Sequence, residues 1–142
     1  MTSLAARSLV AGEAEGIIAA WSVPLSFWGG FDAETGRVID RSHPAFGSDI
    51  SGRVLVMPTG RGSSSASSVL AEAIRRGTAP AAIILMVADP IITVGAIVAQ
   101  KLYGKTCPVV TCERADVGKL AEGRHARIVV RESVSSIVVS DI

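Results

Sequence analysis

The feature that most constrains the fold is an alternation between short, largely apolar runs and segments with helical spacing. Residues 53–57, 82–87 and 108–111 form the apolar runs. Between them, apolar residues recur three and four positions apart, at Val69, Leu70, Ala73 and Ile74 and again at Val94, Ile97, Val98 and Leu102. Strands that alternate with helices in this way pair in parallel through right-handed crossovers. The sequence therefore predicts an α/β fold.

Both ends of the chain, residues 8–21 and 126–140, look like strands without helices between them, with the clearest runs at residues 17–21, 127–130 and 137–139. We expect these strands to form a second β layer or a small barrel against the parallel strands and helices. Residues 28–46 contain several Gly and Pro turn signals and are predicted to be a structured surface loop. Because the sequence shows neither an internal repeat nor a linker, we expect residues 1–142 to form a single domain.

Composition and charge argue against two classes of partner. The net charge is +1, with Lys and Arg scattered and aromatics at 4% of the residues, so no basic aromatic surface for nucleic acid is predicted. Residues 79–99 are apolar enough to span a bilayer, but Asp89-Pro90 places a charge and a helix breaker in the middle. We expect a buried strand, a turn and a buried helix there, and no membrane span.

The cysteines and histidines do not form a recognisable metal site. Cys107 and Cys112 are too few for a disulfide framework and fit a reducing compartment, and residues 1–16 contain no apolar core of signal-peptide length. We therefore expect a cytoplasmic protein. The spacing of the cysteines, His43 and His125 matches no zinc or cluster signature, so we expect this chain to bind no metal by itself.

The strongest candidate for a functional site is the loop Gly60-Arg61-Gly62-Ser63-Ser64-Ser65, between the first apolar run and its helix. Glycines let a ligand approach the backbone, N–H groups at a helix start attract anions, and Arg61 suits a carboxylate or a phosphate. The hydroxyls could orient a polar substrate or simply cap the helix, and both interpretations stay open. The loop lacks the motifs of nucleotide P-loops, dinucleotide folds and hydrolase elbows.

Other residues carry weaker signals. His43, within residues 40–44, is the better functional candidate of the two histidines, because His125 lies in a polar stretch. Phe27 and Trp28, beside a Gly-Gly turn, either pack in the core or present a docking edge for a partner. Cys107 is expected to be a buried hydrophobic residue, and Asp89 is expected to cap a helix.

A series of motifs follows in order between Val10 and Thr111, namely Pro24-Leu25-Ser26-Phe27-Trp28-Gly29-Gly30, Thr35-Gly36, His43-Pro44, the serine loop, Gly77-Thr78-Ala79-Pro80 and Asp89-Pro90-Ile91. In this order they resemble the small subunit of the aconitase X family, whose members correspond to the swivelling domain of aconitase. The resemblance implies a swivelling β/β/α domain that belongs to a dehydratase.

The resemblance also implies a division of labour between two chains. A large subunit would bind an iron–sulfur cluster through its own cysteines, and the cluster iron would act as a Lewis acid on the leaving hydroxyl. A serine of the small subunit would remove a proton from the neighbouring carbon. Ser63, the first serine after the glycine, matches that general base best, and Arg61, Gly62, Ser64 and Ser65 would bind the substrate. A helix N-terminus, a cation and a dry site are needed to stabilise a serine alkoxide.

Two dehydratase activities occur among the proteins that this chain resembles. Bacterial-type members act on cis-3-hydroxy-L-proline and archaeal-type members on phosphomevalonate. The loop reads Gly62-Ser63-Ser64-Ser65, where the archaeal type usually has Gly-Ser-Thr-Val, and Arg61 is its single cation. Together with Gly77-Thr78-Ala79-Pro80, these points favour the hydroxyproline enzyme. A stand-alone module that binds small anions, or a purely structural assembly domain, remains an alternative. The last thirty residues carry no motif of the family.

Overall fold

A closed barrel of seven strands forms the centre of the protein. The structure is a computed structural model and describes residues 1–131 and 134–140. The barrel strands are β1 (Thr2–Val10), β2 (Ala14–Ala20), β5 (Val54–Met57), β6 (Ala82–Leu85), β7 (Val109–Thr111), β8 (His125–Arg131) and β9 (Val134–Val139). Around the barrel they follow the order β1-β7-β6-β5-β2-β8-β9. A separate two-stranded sheet pairs β3 (Phe31–Asp32) with β4 (Arg37–Val38).

The parallel strands separate two hydrophobic cores. β5 pairs in parallel with β2 and β6, and β6 pairs in parallel with β7, whereas the remaining barrel pairs are antiparallel. Because successive side chains of a strand point to opposite faces, Leu55 and Met57 join the core under the helices. Val54 and Val56 join the second core, which fills the barrel with residues of β8 and β9. Burial on both faces explains why β5 and β6 are entirely apolar.

Two helices cover one face of the parallel strands. α2 (Ala66–Arg76) ends at Gly77, which adopts a left-handed conformation, and α3 (Pro90–Tyr103) ends in the same way at Gly104. The Asp89 side chain caps α3 by accepting the Ile91 N–H at 2.8 Å. Gly95 lets α2 and α3 pack closely, because a Cβ at this position would meet the backbone of Ser67 on α2.

The connection from β2 to β5 builds a small lobe on the helical side. It contains the broken turn α1 (Phe27–Gly30), β3 and β4, and its Phe27 and Phe31 rings stack edge to face with centroids 5.1 Å apart. Both rings are buried in the core under the helices. The short 3-10 helix Arg114–Lys119 connects β7 to β8.

The structure confirms the predicted α/β architecture and the small barrel. The three apolar runs are β5, β6 and β7, and the two helical segments are α2 and α3. The apolar stretch at residues 79–99 contains β6 and the start of α3. Within the described residues, no helix is both long and apolar enough to cross a membrane. Only the last three residues of β1 fall within the predicted strand-like stretch, because the residues before Ser8 carry no strand signal that stands out.

Candidate functional site

A cavity of about 280 Å³ opens at the carboxyl ends of β5 and β6. Ligands in α/β sheets commonly bind at this edge, because the loops that leave adjacent parallel strands meet there. One wall is Gly60, Arg61 and Gly62, from the loop after β5. The opposite wall consists of Asp89 and Pro90, which lie at the start of α3, and Leu25 and Phe27 complete the cavity.

Close backbone contacts fix the glycines of the loop. Gly60 forms a parallel bridge with Leu25, and the Arg61 N–H donates to the Leu25 carbonyl at 3.3 Å. Gly62 has a φ of 107°, which disfavours any residue with a side chain, and a Cβ there would overlap Ser26 Oγ. Neighbouring segments therefore hold the loop in place.

The three serines follow the glycines at the rim of the cavity. Ser63 and Ser64 are exposed and Ser65 is half-buried, and none of the three belongs to the residues that line the cavity. Ser63 Oγ accepts the Ser65 N–H at 3.1 Å. Ser65 is the N-cap of α2 but makes no side-chain capping bond. The serine at the N-cap therefore does not cap α2 through its side chain, and Ser63 Oγ instead closes a local turn just before the helix.

Arg61 pairs with a carboxylate from the neighbouring lobe. Its guanidinium lies 3.5 Å from Asp40 Oδ2, and 57% of the Arg61 side chain is exposed. Asp40 Oδ1 accepts the Ser42 N–H at 2.9 Å and the Ser42 hydroxyl at 2.6 Å. These hydrogen bonds, helped by the charge of Arg61, hold the pKa of Asp40 below its ordinary value. A stable anion therefore holds the guanidinium beside the cavity.

The remaining sequence candidates take different positions. His43 is 4% exposed; its Nδ1 accepts the Ala45 N–H at 3.0 Å and its Nε2 lies 3.2 Å from the Val23 carbonyl. His43 does not line the cavity, and its contacts with Val23 and Ala45 connect two segments of the lobe. Phe27 packs in the core, as one alternative predicted, whereas Trp28 is 57% exposed beside it. His125 is partly exposed on β8, with Nε2 3.8 Å from a Glu15 oxygen.

Asp89 was predicted only as a helix cap and proves to be a wall of the cavity as well. Its Oδ1 caps α3, while its Oδ2 lies directly over Gly60. The signal that could have found it is positional. Asp89 follows β6 as Gly60 follows β5, and parallel neighbours end at the same edge.

The donor set of the described residues does not fit an iron–sulfur cluster. Burial raises the pKa of the Cys107 thiol to about 12 and, with help from nearby Asp116 and Glu113, that of Cys112 to about 11. Both thiols are free and belong to different hydrophobic cores. Within the part of the chain that the structure describes, no group of three or more His, Cys, Asp or Glu could hold a metal. Cluster ligation requires thiolates that converge.

Comparison with known proteins gives a consistent result. The family model of the aconitase X swivel domain matches residues 3–137. The cis-3-hydroxy-L-proline dehydratase of Pseudomonas aeruginosa is 47% identical over 125 residues, which cover 83% of this chain and 22% of that protein. The phosphomevalonate dehydratase small subunit of Pyrococcus abyssi is 40% identical over 124 residues, which cover 87% of this chain and 89% of that protein.

Solved structures agree with the sequence comparisons. Aconitase X from Thermococcus kodakaraensis, in its holo form, superposes with a TM-score of 0.85 at 34% identity, covering 99% of this chain and all of the matched chain. The solution structure of a UPF0107 protein gives a TM-score of 0.83 at 30% identity, with the same coverage. The chain thus matches whole chains in these structures but only about one fifth of the length of the Pseudomonas aeruginosa dehydratase.

Proposed function

This chain belongs to the aconitase X swivel domain family, and we propose that it is the small subunit of a hydro-lyase that dehydrates a small hydroxy acid. The observation that carries the proposal is the hydrogen bond from the Ser65 N–H to Ser63 Oγ at the start of α2, next to Arg61 at the cavity. This arrangement gives the oxygen of the proposed base a hydrogen-bond donor, with a cation two residues earlier in the same loop. We propose that residues 1–142 act as one domain.

Ser63 is the catalytic base in this proposal. The C–H bond next to the hydroxyl-bearing carbon breaks and its proton goes to Ser63 Oγ, while the C–O bond breaks and a C=C bond forms. The proton and the hydroxide together make the water that is lost. The Ser65 N–H and the positive end of α2 favour the alkoxide of Ser63. Because Ser63 is exposed in this chain, the large subunit has to cover it and exclude water.

The charges at the cavity support cis-3-hydroxy-L-proline as the substrate. Arg61 and Asp89 are the charged residues of its lining, one positive and one negative. A zwitterionic amino acid suits this pair, with its carboxylate at Arg61, whereas a phosphate would lie against the Asp89 carboxylate. We propose that Arg61, the Gly62 backbone and the Ser64 and Ser65 hydroxyls bind the substrate.

Phosphomevalonate is the second candidate substrate. Relatives named as phosphomevalonate dehydratase small subunits match this chain over most of their own length, such as 89% for the protein of Pyrococcus abyssi. In that case the additional cations that a phosphate requires would come from the large subunit.

We further propose that the iron–sulfur cluster expected for this family is bound by the large subunit and not by this chain. The two buried thiols of raised pKa support this assignment, because they lie in separate cores. Free cysteines also fit the reducing conditions of the cytoplasm, where we place the enzyme.

The test is anaerobic co-expression with the large subunit from the same genome, followed by assay of both candidate substrates. We expect the complex to dehydrate cis-3-hydroxy-L-proline, and we expect Ser63→Ala to lower turnover by about 10² to 10⁴ without loss of assembly. Ser68→Ala is the matched control, because it removes an exposed hydroxyl from α2 that lies outside both the serine loop and the cavity lining. Full activity of Ser63→Ala, or tight binding of a small anion by this chain alone, would contradict the proposal.

A further inference from the structure

Much of the outer face of α3 is apolar although it faces solvent in this chain, and Gln100 and Lys101 are the exposed polar residues beside the apolar ones. Val94 is 49% exposed, Val98 36% and Leu102 67%, and Ile97 beside them is 39% exposed. The opposite face of the same helix packs in the core through Ile92, Ala96 and Ala99. A helix that covers a sheet normally has a polar outer face.

The neighbouring helix shows that normal pattern. On α2, the exposed positions carry Ser68, Arg75 and Arg76, and both arginines pair with Glu72. The two helices pack against each other and cover the same strands, so they share a protein environment. The apolar outer face is therefore specific to α3, and it indicates a surface that binds another protein surface.

The exposed apolar residues of α3 form one row. Pro90, Val94, Val98 and Leu102 follow one another four positions apart, and we call this row the α3 ridge. At 1.5 Å per residue it runs for about 18 Å along the helix. Rows of side chains four positions apart are the ridges that fit the grooves of a facing helix.

The α3 ridge begins at the candidate active site. Pro90 is exposed and lines the cavity, and Asp89 before it forms the wall over Gly60. A partner that closes the cavity at the Asp89 wall would also contact Pro90, the first residue of the α3 ridge. The same body would then extend along the ridge, because Val94 is one helical turn away.

We propose that the α3 ridge is the docking surface for the large subunit of the enzyme, which presents an apolar, helical surface to it. The inference rests on the proposed function, in which the large subunit covers Ser63. Relative length supports this occupant: this chain matches only 22% and 20% of the length of two dehydratase relatives, so most of such an enzyme lies outside the matched region. A partner of that size can cover the rim and the ridge together.

The test compares two variants of this chain in their binding to the cognate large subunit. Val98→Glu/Leu102→Lys places charges on the α3 ridge in the order that favours a helical ion pair. Ile17→Glu is the control, because Ile17 is 46% exposed on β2, a barrel strand that pairs with β5 and β8. We expect both variants to keep the melting temperature of the wild type, measured on this chain alone. We expect the ridge variant to weaken the affinity of the complex about tenfold or more, and the control to leave it unchanged.

Unchanged affinity of the ridge variant overturns the proposal, as does an equal loss in both variants. If the wild-type chain forms a dimer that the ridge variant disrupts, while binding to the large subunit is retained, the ridge serves a second copy and the proposal is wrong. Assembly and turnover are measured separately. A ridge-dependent complex that dehydrates neither substrate supports the docking surface and contradicts the proposed function.

Discussion

Gly60 and Asp89 lie in direct contact, with the carboxylate of Asp89 over the Cα of Gly60. A side chain at position 60 would overlap Asp89 Oδ2 and the end of Ile92. The contact joins the loop after β5 to the start of α3, which are the two charged walls of the same cavity. Gly60 has no positive φ, so proximity and not backbone freedom requires glycine here.

We predict that Gly60→Ala displaces the Asp89 side chain and lowers the free energy of unfolding by about 0.5–2 kcal/mol, because the carboxylate that has to move also caps α3. Turnover of the assembled enzyme should fall as well, because Arg61 follows directly in the chain. The control is Gly118→Ala, since Gly118 has no positive φ and a Cβ there would meet no atom within 4 Å. Urea denaturation of both variants measures the difference, and equal stability of the two would contradict the assigned contact.

Asp40 should act on the substrate through Arg61. Replacing it by Asn removes the charge that holds the guanidinium 3.5 Å away. Because the pair is partly exposed, we expect a moderate effect, a rise in KM of about two- to fivefold with little change in kcat. Asp49→Asn is the control, because Asp49 Oδ1 accepts the Ser51 N–H at 2.9 Å as Asp40 Oδ1 accepts the Ser42 N–H, but the cation that acts on Asp49 is Arg37 and not Arg61.

The pH dependence of the free energy of unfolding should differ from that of the wild type in both Asp40→Asn and Asp49→Asn. The pKa of Asp40 and that of Asp49 are lowered in the folded protein, chiefly by hydrogen bonds from Ser42 and Ser51. A lowered pKa stabilises the fold above the unfolded pKa of about 4, and this contribution is lost as the pH falls through the folded pKa. The stability difference between wild type and each Asn variant should therefore shrink below about pH 4. A difference that stays constant with pH would show that these carboxylates do not titrate as assigned.

His43 is predicted to stabilise the lobe and not to take part in catalysis. His43→Phe keeps a ring beside Trp21, whose centroid is 4.7 Å away, but leaves the Ala45 N–H and the Val23 carbonyl without partners. We expect a loss of about 1–3 kcal/mol in the free energy of unfolding, and a change in the fluorescence of Trp21 in a Trp28→Phe background.

His125→Phe is the control for this experiment, because His125 is partly exposed on β8 and its change should stay within about 0.5 kcal/mol. A His43 variant that folds with normal stability but has lost turnover would instead make His43 a functional residue.

The elements that local signals encode were predictable from the sequence. The apolar runs of β5 and β6 are buried on both faces, and Gly77 and Gly104 end the helices where the pattern placed them. Closure of the barrel was not predictable in detail. It depends on the pairing of β1 with β9 and β7, between residues at opposite ends of the chain, and β1 itself mixes small and polar residues.

The candidate site also combines a part that the sequence predicts with contacts that it does not predict. The serine loop could be singled out, because its glycines and hydroxyls are contiguous in the sequence. The partners of its residues could not, since Asp40 reaches Arg61 and Asp89 reaches Gly60 only after the chain folds. The exposed face of α3 was hidden for another reason. Val94, Val98 and Leu102 have the spacing of core residues, and the sequence does not reveal which apolar face a helix buries.

The cysteines provide a test of which subunit holds the cluster. We predict that the Cys107→Ala/Cys112→Ala variant, assembled with the large subunit, keeps the iron, the sulfide and the visible absorption of the wild-type complex. Both thiols are buried and their pKa values, about 12 and about 11, oppose the thiolate form that binds iron.

For the same reason, a thiol reagent at pH 8 should leave both cysteines unmodified until the wild-type chain is unfolded. The wild-type chain alone, treated with iron and sulfide, should gain no cluster absorption. Loss of iron from the assembled Ala variant, with assembly and melting temperature retained, would move the cluster to this chain and reverse the proposed division of labour.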